Sequence, residues 1–142
     1  MVLSSFNTRE DREKALSHVE HLKETIPVLI AKGIINSEED VVHISINAWD
    51  YGRIVFLARL CYEAGYLTER EVWHFIHTGD ELAQQQFNDW ATFGKSYVLG
   101  RAMWGGSARG NDETIEIYRY LMTDPQSPWV KLPWRQHAKV KF

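Results

Sequence analysis

Apolar residues Leu16, Val19, Leu22, Ile26 and Leu29–Ile30 recur at intervals of three and four, the spacing of one buried face on a helix. Thr8 stands where this helix would begin. Its hydroxyl can accept an orphan backbone N–H, and Asp11 approximates the acidic partner of a capping box. Pro27 should kink or split the helix, because proline removes a backbone donor and crowds the preceding turn. Gly33 should close it.

The stretch from Ile34 to Ile46 admits a short helix capped near Ser37 or an extended run at Val41–Ile46; a loop or helix is favoured, because no second strand exists to pair with it. From Ala48 to Ala64 only Gly52 interrupts a helical pattern, and Gly65 is a natural C-cap. Thr68-Glu69-Arg70-Glu71 spells a capping box that opens a helix through Val72, Trp73, Phe75 and Ile76. The short Gly65-Tyr66-Leu67 connection makes these two helices antiparallel neighbours. Further helices are expected from about Asp80 to Phe93 and from about Gly94 to Trp104, either separate or continuous, and from Asp112 through Ile115, Ile117, Tyr118 and Leu121. Gly105 to Asn111 reads as a flexible loop between the last two. Asp124-Pro125 should stop the final helix. Beyond it, Trp129 and Trp134 should tuck an irregular, proline-rich segment against the bundle, and Arg135 to Lys141 should fray.

The expected fold class is therefore all-α: a single compact helical bundle of about five to seven helices with an irregular Pro/Trp-rich C-terminal segment. One domain over residues 1–142 suits the length, with an N-terminal helical segment at 1–46 and a core at 47–134. Sixteen basic and nineteen acidic side chains give a net charge of -3, which argues against a general nucleic-acid binder. The single Cys61 cannot form an internal disulfide. The N-terminus turns charged before any long apolar run, unlike a signal peptide or a membrane span. A cytoplasmic location without membrane association is the resulting expectation.

Charge on the Ala48–Glu63 helix is the first candidate for chemistry. Asp50 and Arg53 are three apart and can pair on one face, and Arg59 lies further along among apolar neighbours. Two readings stand side by side. Asp50, Arg53 and Glu71 could line a cleft for an anionic or polar ligand, or the charges could form an ion-pair network that locks helix packing. His18/His21 and His74/His77 have helical spacing for two metal ligands, but no third ligand motif accompanies either pair, so no metal site and no cofactor is expected. Cys61 falls on an expected core face, where a thiol packs rather than reacts. The run from Phe87 to Trp104 places Phe87, Trp90, Phe93 or Tyr97, Arg101 and Trp104 near one another, while Gly94 and Gly100 allow close approach. Most of that run should be core. If exposed, its Trp, Tyr and Arg side chains are of the types that dominate protein-recognition hot spots.

Several linked motifs carry a family likeness. They are Trp49-Asp50-x-Gly52-Arg53-x-x-x-Leu57-Ala58-Arg59, then Ala64-Gly65-Tyr66-Leu67-x-x-x-Glu71-x-Trp73, then Phe87-x-x-Trp90-x-x-Phe93-Gly94-x-Ser96-Tyr97-x-x-Gly100-Arg101, and finally Asp124-Pro125-x-Ser127-Pro128-Trp129-x-x-Leu132-Pro133-Trp134. Together they resemble the bacterial family catalogued as domain of unknown function 1266, over about residues 47–134. The resemblance implies a bacterial source and a helical domain, and it brings no activity with it. It marks Asp50, Arg53, Arg59, Glu71, Trp90, Arg101 and Trp134; Tyr97 joins them as a member of the same polar network or binding cleft.

Two functional expectations follow. The first is a small protein-interaction domain, such as an immunity protein that covers and neutralises a toxin domain; a net charge of -3 would suit a basic partner. The second is an enzyme or toxin-like effector working through an Asp50, Arg53, Glu71 and Arg101 cleft. The direction in which those four side chains point separates the two.

Overall fold

The structure, a computed structural model, describes residues 8–105 and 108–135. Within them the chain forms seven helices and no strand: α1 (Arg9–Ala31), α2 (Asp40–His43), α3 (Asn47–Glu63), α4 (Glu69–Gln86), α5 (Trp90–Trp104), α6 (Ala108–Thr123) and α7 (Pro128–Lys131). Helix α5 is the central element, packed against α1, α3 and α6, while α4 lies along α3 and α7 against α6.

Thr8 caps α1 as its sequence position suggested, accepting the Asp11 N–H and donating its hydroxyl hydrogen to the Asp11 carboxylate. Pro27 does not split the helix, which is continuous to Ala31. At its end Gly33 (φ 72°) takes the left-handed conformation, its N–H donating to Ile30 and that of Ile34 to Leu29. This pattern seals the last turn by burying Ile34 beside Leu29. Only the C-terminal half of α1 joins the core: Ile26 and Leu29 are buried, but Leu16, Val19 and Ile30 of the anticipated stripe are exposed. Ile26, Leu29, Ile34 and Ile35 pack against Val98 and Leu99 of α5 and Ile115 of α6 in one cluster. A second cluster gathers Ala48, Ala83, Phe87 and Trp134, with Tyr51, Trp90, Phe93 and Tyr97 around it.

Three boundaries differ from expectation. Thr78-Gly79-Asp80 does not begin a new helix. Helix α4 runs through it, and Gly79 sits where an added Cβ would lie 3.2 Å from the Tyr51 carbonyl oxygen, so the glycine serves close packing on α3. The break falls instead at Phe87–Asp89, because Asp89 accepts the Thr92 N–H at 2.7 Å and starts α5. Helix α6 begins at Ala108 and not at Asp112. It tolerates Gly110 in its first turn, where the Thr114 hydroxyl donates to the Gly110 carbonyl at 2.8 Å. The proline-rich end holds one turn of helix, α7, with Ser127 as N-cap and Pro128 at the position where a missing N–H costs nothing. Residues 136–141 of the basic run lie outside the described residues. Among the described residues no helix is long and apolar enough to cross a membrane.

Candidate functional site

Small residues let α5 close onto the start of α3. A Cβ on Gly100 would come within 2.4 Å of Trp49 Cβ and 2.7 Å of the Ile46 carbonyl oxygen, so only glycine fits. Buried Ser96, one turn earlier, accepts the Ala48 N–H at 3.1 Å, and with Ser45, which accepts the Asn47 N–H at 3.1 Å, it meets orphan donors that the N-cap residue Ile46 leaves open. This crossing sets Trp49 and Arg53 of α3 beside Tyr97, Arg101 and Trp104 of α5.

The two guanidinium groups share the same two indoles. Arg53 Cζ lies 5.7 Å from the Trp49 ring centroid and 5.3 Å from that of Trp104; Arg101 Cζ lies 5.7 and 5.9 Å from the same rings. Trp49 meets Trp104 at 6.0 Å and Tyr97 edge-on at 5.0 Å. Stacking on aromatic faces strips water from a guanidinium while leaving its in-plane N–H donors available. Arg101 spends one donor on the Gly105 carbonyl at the end of α5. Among the described residues Arg53 makes no ion pair or hydrogen bond. The Trp49 Nε1–H is buried and also lacks an acceptor. Burial raises the Tyr97 phenol above its ordinary 10, while the neighbouring Arg101 and Arg53 charges pull against that rise. The cluster therefore presents several donors and two positive charges, and among the described residues no carboxylate pairs with them.

The other anticipated site residues fall elsewhere. Asp50 is exposed and does not pair with Arg53. Arg59 is exposed and not shielded by apolar neighbours, because α3 turns that face to solvent past the α5 crossing. Glu71 is committed to its own helix start: it accepts from the Thr68 N–H and hydroxyl at 2.8 Å each, and those bonds hold its carboxyl below the usual 4.5. Trp90 and Trp134 belong to an aromatic strap. Trp90 stacks on Trp129 at 4.9 Å and meets Trp134 edge-on at 4.7 Å, and the two indole N–H groups donate to Leu132 and Phe87 carbonyls. Arg53, Tyr97 and Arg101 are thus brought together, while Asp50, Arg59, Glu71, Trp90 and Trp134 are not part of that cluster. Trp49 and Trp104 are the members of this cluster missing from the sequence-based set. Their signal was the spacing Trp-x-x-x-Arg on α3 and Arg-x-x-Trp on α5.

The site opens onto an apolar stripe. Trp49, Arg53, Phe56, Leu57 and Leu60 follow one another at helical intervals, so they share a face of α3. Phe56, Leu57 and Leu60 are 57, 46 and 43% exposed, and Trp104 is 52% exposed. Cys61 is only partly buried. Among the described residues no group of three His, Cys, Asp or Glu side chains is placed to hold a metal ion.

A comparison with protein families matches residues 2–134 to the family described as "Protein of unknown function (DUF1266)". The match extends well before residue 47, so α1 and the loop after it are part of the family's own domain rather than an addition to it. No curated protein and no solved structure matches the chain.

Proposed function

The chain belongs to the family of unknown function 1266, and from that premise we propose that it is a protein-recognition domain whose Arg53–Trp49–Trp104–Arg101 face takes an acidic group of a partner polypeptide. The observation that carries this reading is the pair of guanidinium groups sharing two indoles, with no carboxylate among the described residues paired to either. Arginine and tryptophan concentrate binding energy at interfaces, and a desolvated guanidinium gains most from a carboxylate that arrives with the partner. The exposed Phe56, Leu57 and Leu60 on the same face favour a polypeptide over a small anion, since an isolated anion would leave that apolar surface uncovered.

The finer form of this proposal is an immunity protein that neutralises a toxin domain by covering it. It would place an acidic segment of the toxin on the arginine pair, in spite of the chain's net charge of -3. A catalytic cleft of Asp50, Arg53, Glu71 and Arg101 has less support. Glu71 is occupied by Thr68, and Asp50 does not face the guanidinium groups as an acid or base would need to.

The test is selection of random displayed peptides on the purified protein, repeated on the Arg53→Met/Arg101→Met double variant. Enrichment of peptides with an acidic residue flanked by apolar ones, lost in a double variant that melts as a folded protein, is the expected result. Enriched peptides without acidic residues, no enrichment at all, or enrichment indifferent to the double variant would each overturn the reading.

A further inference from the structure

Between α1, the end of α5 and the start of α6 lies a cavity of about 140 Å³, apart from the arginine face. Two polar atoms lining it are buried without a hydrogen-bond partner: His21 Nδ1 and Asn111 Oδ1. Buried polar atoms are costly to leave unmet, so two of them lining one cavity call for an occupant. Thr25 on the same wall is buried and donates its hydroxyl hydrogen to the His21 carbonyl at 2.8 Å, which leaves oxygen lone pairs facing outward from that bond. Glu24 and Asp112 add exposed carboxylates to the lining, and among the described residues neither is engaged in an ion pair and no lysine or arginine lines the cavity. Val28 and Ala102 supply the apolar part.

The His21 ring is held in place by the backbone beside it. Gly105 (φ 104°) packs so closely that an added Cβ would come within 2.7 Å of His21 Nδ1 and Cε1. A larger residue there would occupy the space in front of the unmet nitrogen.

We propose that this cavity is a binding site for a primary ammonium group. The lining offers the Asn111 amide oxygen and the unmet His21 ring nitrogen, with the carboxylates of Glu24 and Asp112 opposite in charge to a cation. A primary ammonium carries three N–H donors and no acceptor, which meets that set, and its alkyl end would rest on Val28 and Ala102. The chemistry is shared by a free aliphatic amine and by a lysine side chain of a partner protein.

Titrations of the full chain with ethylammonium chloride and with Nα-acetyl-lysine methylamide test it, read as nitrogen and proton chemical shifts of Asn111 and the His21 imidazole. Saturable shifts at both residues are expected, with at least about tenfold weaker binding in Asn111→Leu and in the Glu24→Gln/Asp112→Asn double variant. Tetramethylammonium, with the same charge and no donors, should not compete. Preference for the lysine derivative would indicate a protein source and preference for ethylammonium a free amine; either supports the site. Equal binding of tetramethylammonium, binding unchanged in the variants, or no saturable shift would overturn it and leave ordered water as the occupant.

Discussion

The Trp134 indole donates its Nε1 hydrogen to the Phe87 carbonyl oxygen at 2.9 Å, across 47 positions of sequence. Phe87 is the residue at which α4 ends, so this bond satisfies a helix-terminal carbonyl with a side chain from the far end of the chain. Gln84 answers by donating to the Trp134 carbonyl at 2.7 Å. Replacing Trp134 by Phe keeps most of the ring but leaves the Phe87 carbonyl unmet. The expected cost is about 1–3 kcal/mol in urea unfolding, because a buried acceptor without its donor forfeits its desolvation energy.

The arginine face and the tryptophan strap should separate in stability measurements. Arg53→Met breaks no ion pair and no hydrogen bond, only stacking on two indoles, and should cost no more than about 1 kcal/mol. Trp90→Ala removes the ring that meets both Trp129 and Trp134, and should cost about 3 kcal/mol or more. Thermal or urea melts of the two variants check this. Equal losses would mean that Arg53 is structural.

Two glycines should respond for different reasons. Gly100→Ala forces a methyl against Trp49 Cβ and the Ile46 carbonyl, so α5 and α3 must part; a loss of about 3 kcal/mol is expected, together with altered Trp49 fluorescence. Gly33→Ala meets no neighbouring atom and suffers only from its positive φ, at about 1 kcal/mol.

Acid should loosen the start of α4 in a defined window. The bonds from Thr68 lower the Glu71 pKa in the folded state, so their stabilisation is complete above the ordinary carboxylate value of 4.5 and fades as pH falls through the lower folded value. Thr68→Ala should lower stability at neutral pH, and its difference from the parent should shrink below pH 4.5 as Glu71 protonates in both. Amide hydrogen exchange at Glu71 and Val72 reads this directly. A difference that is constant with pH would assign the effect to the threonine alone.

The local signals were the most legible. Thr8, Gly33, Gly65 and the Thr68–Glu71 box act on backbone groups within a few residues, so neighbours in sequence suffice to place them. Misplaced boundaries came where one residue type serves two ends. A helix start is expected near Asp80, yet Gly79 before it answers a packing demand from α3 inside one continuous helix, and Asp89, inside the expected Asp80–Phe93 helix, is a cap. The candidate site was half legible: Arg53, Tyr97 and Arg101 stood out by type and spacing.

What the amino-acid order determined by itself is the all-α class, most helix starts and stops, and the concentration of arginine and tryptophan on two segments. Periodicity and capping are short-range, and they survive without knowledge of the fold. Which charges meet is a long-range outcome. Asp50 lies three residues from Arg53 yet does not pair with it, whereas Arg101, 48 residues away, shares its indoles. The crossing of α3 and α5 decided this, because the missing side chain of Gly100 and the Ser96 hydroxyl bring the two helices together at the point where both arginines meet the same rings.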